Sequence, residues 1–251
     1  LVSRQPHVAL AAFAASGTET AMHFSGRLLA VVLGAALAAD AALAQPAELP
    51  LVRVPAPPDT SGPLILLLSG DGDWAPFPRR FSELAAAQGA PVLGLKMRTY
   101  LSQKRTPDEM AAALVPVVRG QLGDWGRSSL MVVGYSRGAD LAAFVVNRWP
   151  EDLKARVRGI GFVGLSERAS FEFHYADLAL DIARATDLPT RPEVEKLIGT
   201  PMWCVRGADE GDSFCNRPVA GMQVATHPGS HRASGDDATA QRVLHELGLD
   251  R

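Results

Sequence analysis

Gly134-Tyr135-Ser136-Arg137-Gly138 is the stretch of this sequence best suited to chemistry. A serine hydroxyl is a weak nucleophile until a neighbouring base takes its proton. The spacing G-x-S-x-G is that of a nucleophile elbow, where small residues flank a sharp strand-to-helix turn and the serine projects from it. The apolar run Leu130-Met131-Val132-Val133 precedes the motif, and a helical pattern from Ala139 to Asn147 follows it. That context separates it from a plain Gly/Ser turn.

In this arrangement the base lies late in the chain, after an acid. His231 meets the demand, in the loop Pro228-Gly229-Ser230-His231 between the last strand and the last helix. His227 falls at a strand end and His245 inside the final helix, where packing or surface roles suffice. The acid belongs to Arg206-Gly207-Ala208-Asp209-Glu210-Gly211-Asp212, and only one carboxylate is needed to hold the imidazole tautomer. Spacing from the loop glycine favours Glu210. Asp212, near Cys215, and Asp209 stay open as alternatives. In Ser69-Gly70-Asp71-Gly72-Asp73-Trp74, the N–H of Asp71 or Gly72 can join that of Arg137 as the oxyanion hole. Oxygen ligands are dense there, but EF-hand spacing is absent, so neither metal nor cofactor is expected. Trp74, Tyr100, Tyr135 and His174 are the candidate pocket residues.

These residues need a scaffold of alternating strands and helices. Strands are expected at 51–54, 63–68, 91–95, 130–133, 157–165, 201–205 and 221–226, several of them continuous apolar runs of the kind buried in parallel sheets. Helices are expected at 78–88, from the Thr106-Pro107-Asp108-Glu109 start to about Arg119, at 139–147 and at 238–247. The alternation predicts a single α/β domain with a mostly parallel sheet flanked by helices. Residues 166–198 exceed one crossover and are expected to form a short helical insertion covering one end of the sheet.

Composition sets the outer bounds. The 251 residues are 47% hydrophobic and 21% charged, enough for one substantial core. Lys+Arg 25 against Asp+Glu 27 leaves no general nucleic-acid footprint. Two cysteines exclude a cysteine-dense scaffold and a multi-cysteine zinc site. Met22 to Ala44 reads as a secretory signal peptide: Arg27 before the apolar run LLAVVLGAALAA, then Ala42-Leu43-Ala44 before Gln45. Residues 1–21 then read as a translated extension upstream of the true start, and 45–251 as the working domain. Export to an oxidising periplasm would let Cys204 and Cys215 form a disulfide.

The sequence resembles the bacterial virulence protein VirJ family, including the related C-terminal domain of AcvB, over roughly residues 48–250. The resemblance rests on LLLSGDGDW (66–74), RTP (105–107), VVGYSRGAD (132–140), FEFH (171–174), CVRGADEGDSFC (204–215), PGSH (228–231) and GD (235–236). It implies an exported α/β-hydrolase-like protein with Ser136 and His231 as nucleophile and base, and Glu210 and Asp212 at the family's acidic positions. It further implies hydrolysis of aminoacylated phosphatidylglycerol, especially the lysyl form, with peripheral membrane contact and a link to virulence or type IV secretion. The family pattern SGDGGW becomes SGDGDW here, with Asp73, and a second histidine after the base is Arg232. Asp71, Asp73 and Asp140 are candidate partners for a cationic substrate amine. Two readings follow: a periplasmic serine esterase, or a secretion-associated interaction protein that keeps a hydrolase fold.

Overall fold

A computed structural model describes residues 48–178, 182–231 and 237–249. The expected extension and signal peptide lie outside the described residues, as do Arg232 and Gly235-Asp236. The strands are β1 (Leu51–Val54), β2 (Leu64–Leu68), β3 (Val92–Leu95), β4 (Leu130–Tyr135), β5 (Val157–Val163), β6 (Arg168–Ala169), β7 (Leu188–Pro189), β8 (Met202–Gly207) and β9 (Met222–His227). The helices are α1 (Pro76–Ala87), α2 (Met97–Tyr100), α3 (Pro107–Asp124), α4 (Arg137–Asn147), α5 (Glu151–Lys154), α6 (Arg191–Glu195) and α7 (Asp237–Glu246).

Seven strands form one sheet in the order β1-β3-β2-β4-β5-β8-β9. Only β1 runs antiparallel, against β3. The apolar runs are continuous because both faces are covered. Side chains alternate along a strand, so Leu64, Leu66 and Leu68 of β2 enter one core and Ile65 and Leu67 the other. The first core packs on α3 and α4, the second on α1 and α7. Burying each such side chain stabilises the fold by about 1.5–3 kcal/mol.

The helix starts follow sequence chemistry. Thr106 caps α3 by accepting the Glu109 N–H at 3.2 Å, while the Glu109 carboxylate accepts the Thr106 N–H at 2.8 Å. This reciprocal box satisfies two N–H groups that have no partner within the helix. α3 runs past the expected end at Arg119 to Asp124, with Pro116 on its exposed face. There the carbonyl that loses its partner lies on the solvent side. The insertion at 166–198 holds the short helix α6 and the turn Tyr175–Leu178, as expected. It also holds the two-stranded β6–β7 pair, which two-residue strands leave without a periodic signal. No helix among the described residues is long and apolar enough to cross a membrane.

Candidate active site

Ser136, Glu210 and His231 come from three loops at the carboxyl ends of parallel strands: after β4, after β8 and after β9. Ser136 has φ 53° and ψ −124°, a left-handed conformation that costs a non-glycine residue about 1–3 kcal/mol. The flanking glycines are there because the chain is crowded. A Cβ at Gly134 would stand 2.4 Å from the Gly138 carbonyl oxygen, and one at Gly138 would stand 2.0 Å from that of Leu68. The Ser136 N–H donates to the Val163 carbonyl at 2.7 Å, which ties the turn to β5.

Ser136 Oγ and His231 Nε2 are 2.8 Å apart. His231 Nδ1 is 2.5 Å from Glu210 Oε1, and Glu210 Oε2 accepts the Gly207 N–H at 3.0 Å. The acid and histidine loops are joined directly: the Asp209 N–H donates to the Gly229 carbonyl at 3.0 Å, and the Ala208 N–H to that of His227 at 2.9 Å. Of the three acids left open by sequence, the structure brings only Glu210 to the imidazole. Glu210 is buried, whereas Asp209 and Asp212 are exposed. Asp212 reaches His231 only as a longer-range charge. Its place in the relay is therefore corrected: its side chain faces solvent, where a fixed hydrogen bond to the ring is not formed.

Burial pushes the Glu210 carboxyl up, but hydrogen bonds from His231 and the Gly207 N–H outweigh it and hold it below the usual range. The hydrogen bond to Glu210 raises the His231 imidazole above its ordinary value against the effect of burial, with smaller help from Asp140 and Asp212. The Cys204–Cys215 disulfide joins β8 to the turn Phe214–Asn216 and closes the loop that carries Glu210.

The Ser69–Trp74 segment faces the elbow from β2. Gly70 and Asp73 close a turn through the Asp73 N–H and the Gly70 carbonyl at 3.0 Å, leaving Asp71 and Gly72 at its centre. A Cβ at Gly70 would lie 3.0 Å from Ser136 Cβ, so the turn abuts the serine. Arg137 is the first residue of α4, where backbone N–H groups project from the helix N-terminus.

The carboxylates expected near a substrate amine are all engaged. Asp71 is held bidentately by Arg137. Asp73 accepts the Thr99 N–H at 3.0 Å and its hydroxyl at 2.7 Å, with Arg98 at 3.4 Å. Asp140 accepts the Ser166 N–H at 2.8 Å. Burial pushes its carboxyl up to about 7, against Ser166, Arg137 and His231.

The pocket candidates are spread more widely. Trp74 lies over Gly94 of β3, where a Cβ would come within 2.2 Å of its ring. Tyr100 is buried in the α3–α4 core, with the Arg105 guanidinium over its ring at 5.1 Å. Tyr135, next to Ser136, packs on Phe77 with ring centroids 4.7 Å apart. His174 is partly exposed and 3.8 Å from Glu172. His227 is buried and shares a 2.9 Å contact with the Pro228 carbonyl through Nδ1. Among the described residues no three His, Cys, Asp or Glu side chains converge as metal ligands would.

One site residue has no signal in the sequence, and another was expected in a different role. Gly164, at φ 71°, lies under the His231 ring: a Cβ there would be 3.0 Å from Cε1. Asp140, expected as a partner for a substrate amine, instead acts on the His231 imidazole; it follows Ser136 by one helical turn, and that i, i+4 spacing is the signal for it.

The profile of the bacterial virulence protein (VirJ) family matches residues 63–250. No curated protein matches the chain. Among solved structures, a soluble variant of monoglyceride lipase from Saccharomyces cerevisiae, in complex with a substrate analogue, superposes with a TM-score of 0.55 at 13% identity, covering 80% of this chain and 90% of that one. The thioesterase domain from the curacin biosynthetic pathway gives 0.53 at 15% identity, covering 78% and 94%. Est1E from Butyrivibrio proteoclasticus, with ferulic acid bound, gives 0.52 at 14%, covering 79% and 96%. At these identities the likeness is one of fold, the α/β-hydrolase fold.

Proposed function

The chain belongs to the VirJ family of bacterial virulence proteins, and on that premise we propose that it is a serine hydrolase acting on carboxylic esters. The observation that carries this reading is the unbroken relay from Ser136 through His231 to Glu210, at 2.8 and 2.5 Å, on a strained strand-to-helix turn. His231 Nε2 takes the Ser136 proton as Oγ attacks the ester carbonyl. Glu210 keeps the proton on Nδ1, so Nε2 is the basic nitrogen, and it stabilises the imidazolium that forms. The N–H of Arg137, with that of Asp71 or Gly72, receives the oxyanion. His231 then protonates the leaving alcohol, and water clears the acyl-enzyme by the same route.

The substrate in this proposal is an aminoacyl ester of phosphatidylglycerol, the lysyl form first, met by peripheral contact with the membrane after export to the periplasm. The family motifs support that class, and the Cys204–Cys215 bond fits an oxidising compartment. The test is lysine release from vesicles containing lysyl-phosphatidylglycerol, with fluorophosphonate labelling in parallel. Ser136→Ala should abolish both, and turnover retained in that variant would remove the mechanism. Turnover of p-nitrophenyl acetate without lysine release would remove the lipid assignment alone. A chain that takes no phosphonate and cleaves no ester would favour a secretion-associated interaction protein.

A further inference from the structure

The relay occupies one flank of Ser136. The other flank is governed by a charge pair that the relay does not use. The Arg137 guanidinium donates through Nε and Nη2 to the two oxygens of Asp71, with Nη2–Oδ2 at 2.8 Å, and through Nη1 to the Ser170 carbonyl at 3.3 Å. Both partners are shielded, their side chains 10% and 20% exposed. Asp71 sits in the Gly70–Asp73 turn, whose far end is fixed by Asp73 on Thr99.

An oxyanion hole of this kind draws its donors from two backbone segments, the turn after β2 and the first residue of α4, which lie 66 positions apart. Their N–H groups must converge on one oxygen, and a displacement of about 1 Å costs on the order of a hundredfold in rate. An exposed ion pair holds geometry poorly. A shielded bidentate fork holds it well, because both hydrogen bonds are charge-assisted and their directions are fixed by the planar guanidinium.

We infer that the Asp71–Arg137 pair is a positioning clamp that keeps the Gly70–Asp73 turn docked on the elbow and the two donor segments in register. The inference rests on the esterase reading and gives two side chains outside the relay a role in it. Through Ser170 the same guanidinium also anchors the start of the 166–198 insertion, so the clamp joins three elements at one charge.

The test measures kcat and KM for p-nitrophenyl acetate, the affinity of an alkylboronic acid and the melting temperature. The boronic acid forms a tetrahedral adduct on the serine and fills the same hole. Asp71→Asn and Arg137→Met should each lower kcat about 10–100-fold while KM stays within about threefold. Boronate affinity should fall in step with kcat/KM. Arg137→Lys, which keeps the charge and loses the fork, should fall between these variants and wild type. The double variant should be no worse than the worse single, because it leaves no shielded charge unpaired. If a single variant does not fold, Asp71→Glu, which lengthens the arm by one methylene, should show the same loss of kcat and boronate affinity. Unchanged kcat and boronate affinity in a folded Asp71 variant would overturn the clamp, as would a kcat loss that tracks melting temperature while boronate affinity holds. A wild-type chain with neither ester turnover nor phosphonate labelling would overturn the esterase reading and the clamp with it.

Discussion

Glu210 and Asp140 are carboxylates that act on one imidazole, from the loop after β8 and from the first turn of α4, and they are driven in opposite directions. Burial pushes both up. Around Glu210 the hydrogen bond to His231 and the Gly207 N–H outweigh burial and keep the group ionised. Around Asp140 the opposition comes from Ser166 and from the charges of Arg137 and His231, and the group still rises to about 7. The protonation of a sheltered carboxylate is set by the donors that face it, not by its residue type. Two acids beside one histidine can therefore differ in kind: a standing anion that orients the ring, and a group poised to change charge near neutrality.

The sharpest way to break this comparison is to neutralise each acid in turn. Glu210→Gln should lower kcat by about a thousandfold or more, because the amide favours the wrong tautomer. Asp140→Asn should lower it less than about tenfold, and Asp209→Asn and Asp212→Asn less than about threefold. Equal losses at 210 and 140 would erase the distinction. Next in size is the tether of the acid loop. Replacing both Cys204 and Cys215 by Ala should cost about 2–3 kcal/mol of stability in urea unfolding. The same pair of changes should lower turnover several-fold, since Glu210 lies within the closed loop.

A smaller effect separates the two acids by stability. The folded Asp140 holds its proton up to about 7, well above an unfolded carboxylate, so its contribution declines as pH rises from 4 towards 7 and stays low above it. Asp140→Asn should therefore raise stability by roughly 1–2 kcal/mol at pH 8 and change little at pH 4. Glu210, whose folded value is depressed, carries the opposite sign: its contribution is present above the unfolded value and lost as pH falls through the folded one. Urea midpoints at both pH values check each sign. The smallest effect lies in the acid limb of kcat/KM. His231 must be neutral to act, so the limb should lie above the ordinary histidine value of 6.5. Asp140→Asn should move it downward, and an unmoved limb would sever Asp140 from the imidazole.

Much of the scaffold was legible because buried parallel strands are written as apolar runs, and Leu64–Leu68 and Leu130–Val133 have few other uses. Ser136 was legible because its glycines are local neighbours. His231 stood out because it is a histidine in the loop between the last strand and the last helix. The acid was legible only as a ranking, with Glu210 first by its spacing from the loop glycine and Asp209 and Asp212 still open. Setting the other two aside requires knowing that the Asp209 N–H docks on the Gly229 carbonyl, a contact between loops. Gly164 under the imidazole and Asp71 on Arg137 were hidden for the same reason: their partners lie 67 and 66 positions away along the chain. The β6–β7 pair was too short to show a period.

The left-handed backbone at Ser136 also bears on how the fold would respond to losing that side chain. Glycine adopts that conformation without penalty, so Ser136→Gly returns part of the roughly 1–3 kcal/mol held in the turn. Some of this is offset by the greater freedom glycine gives the unfolded chain. Ser136→Gly is thus expected to fold, with a urea midpoint close to that of the wild type. The strain at Ser136 is a cost that packing alone gives no reason to bear.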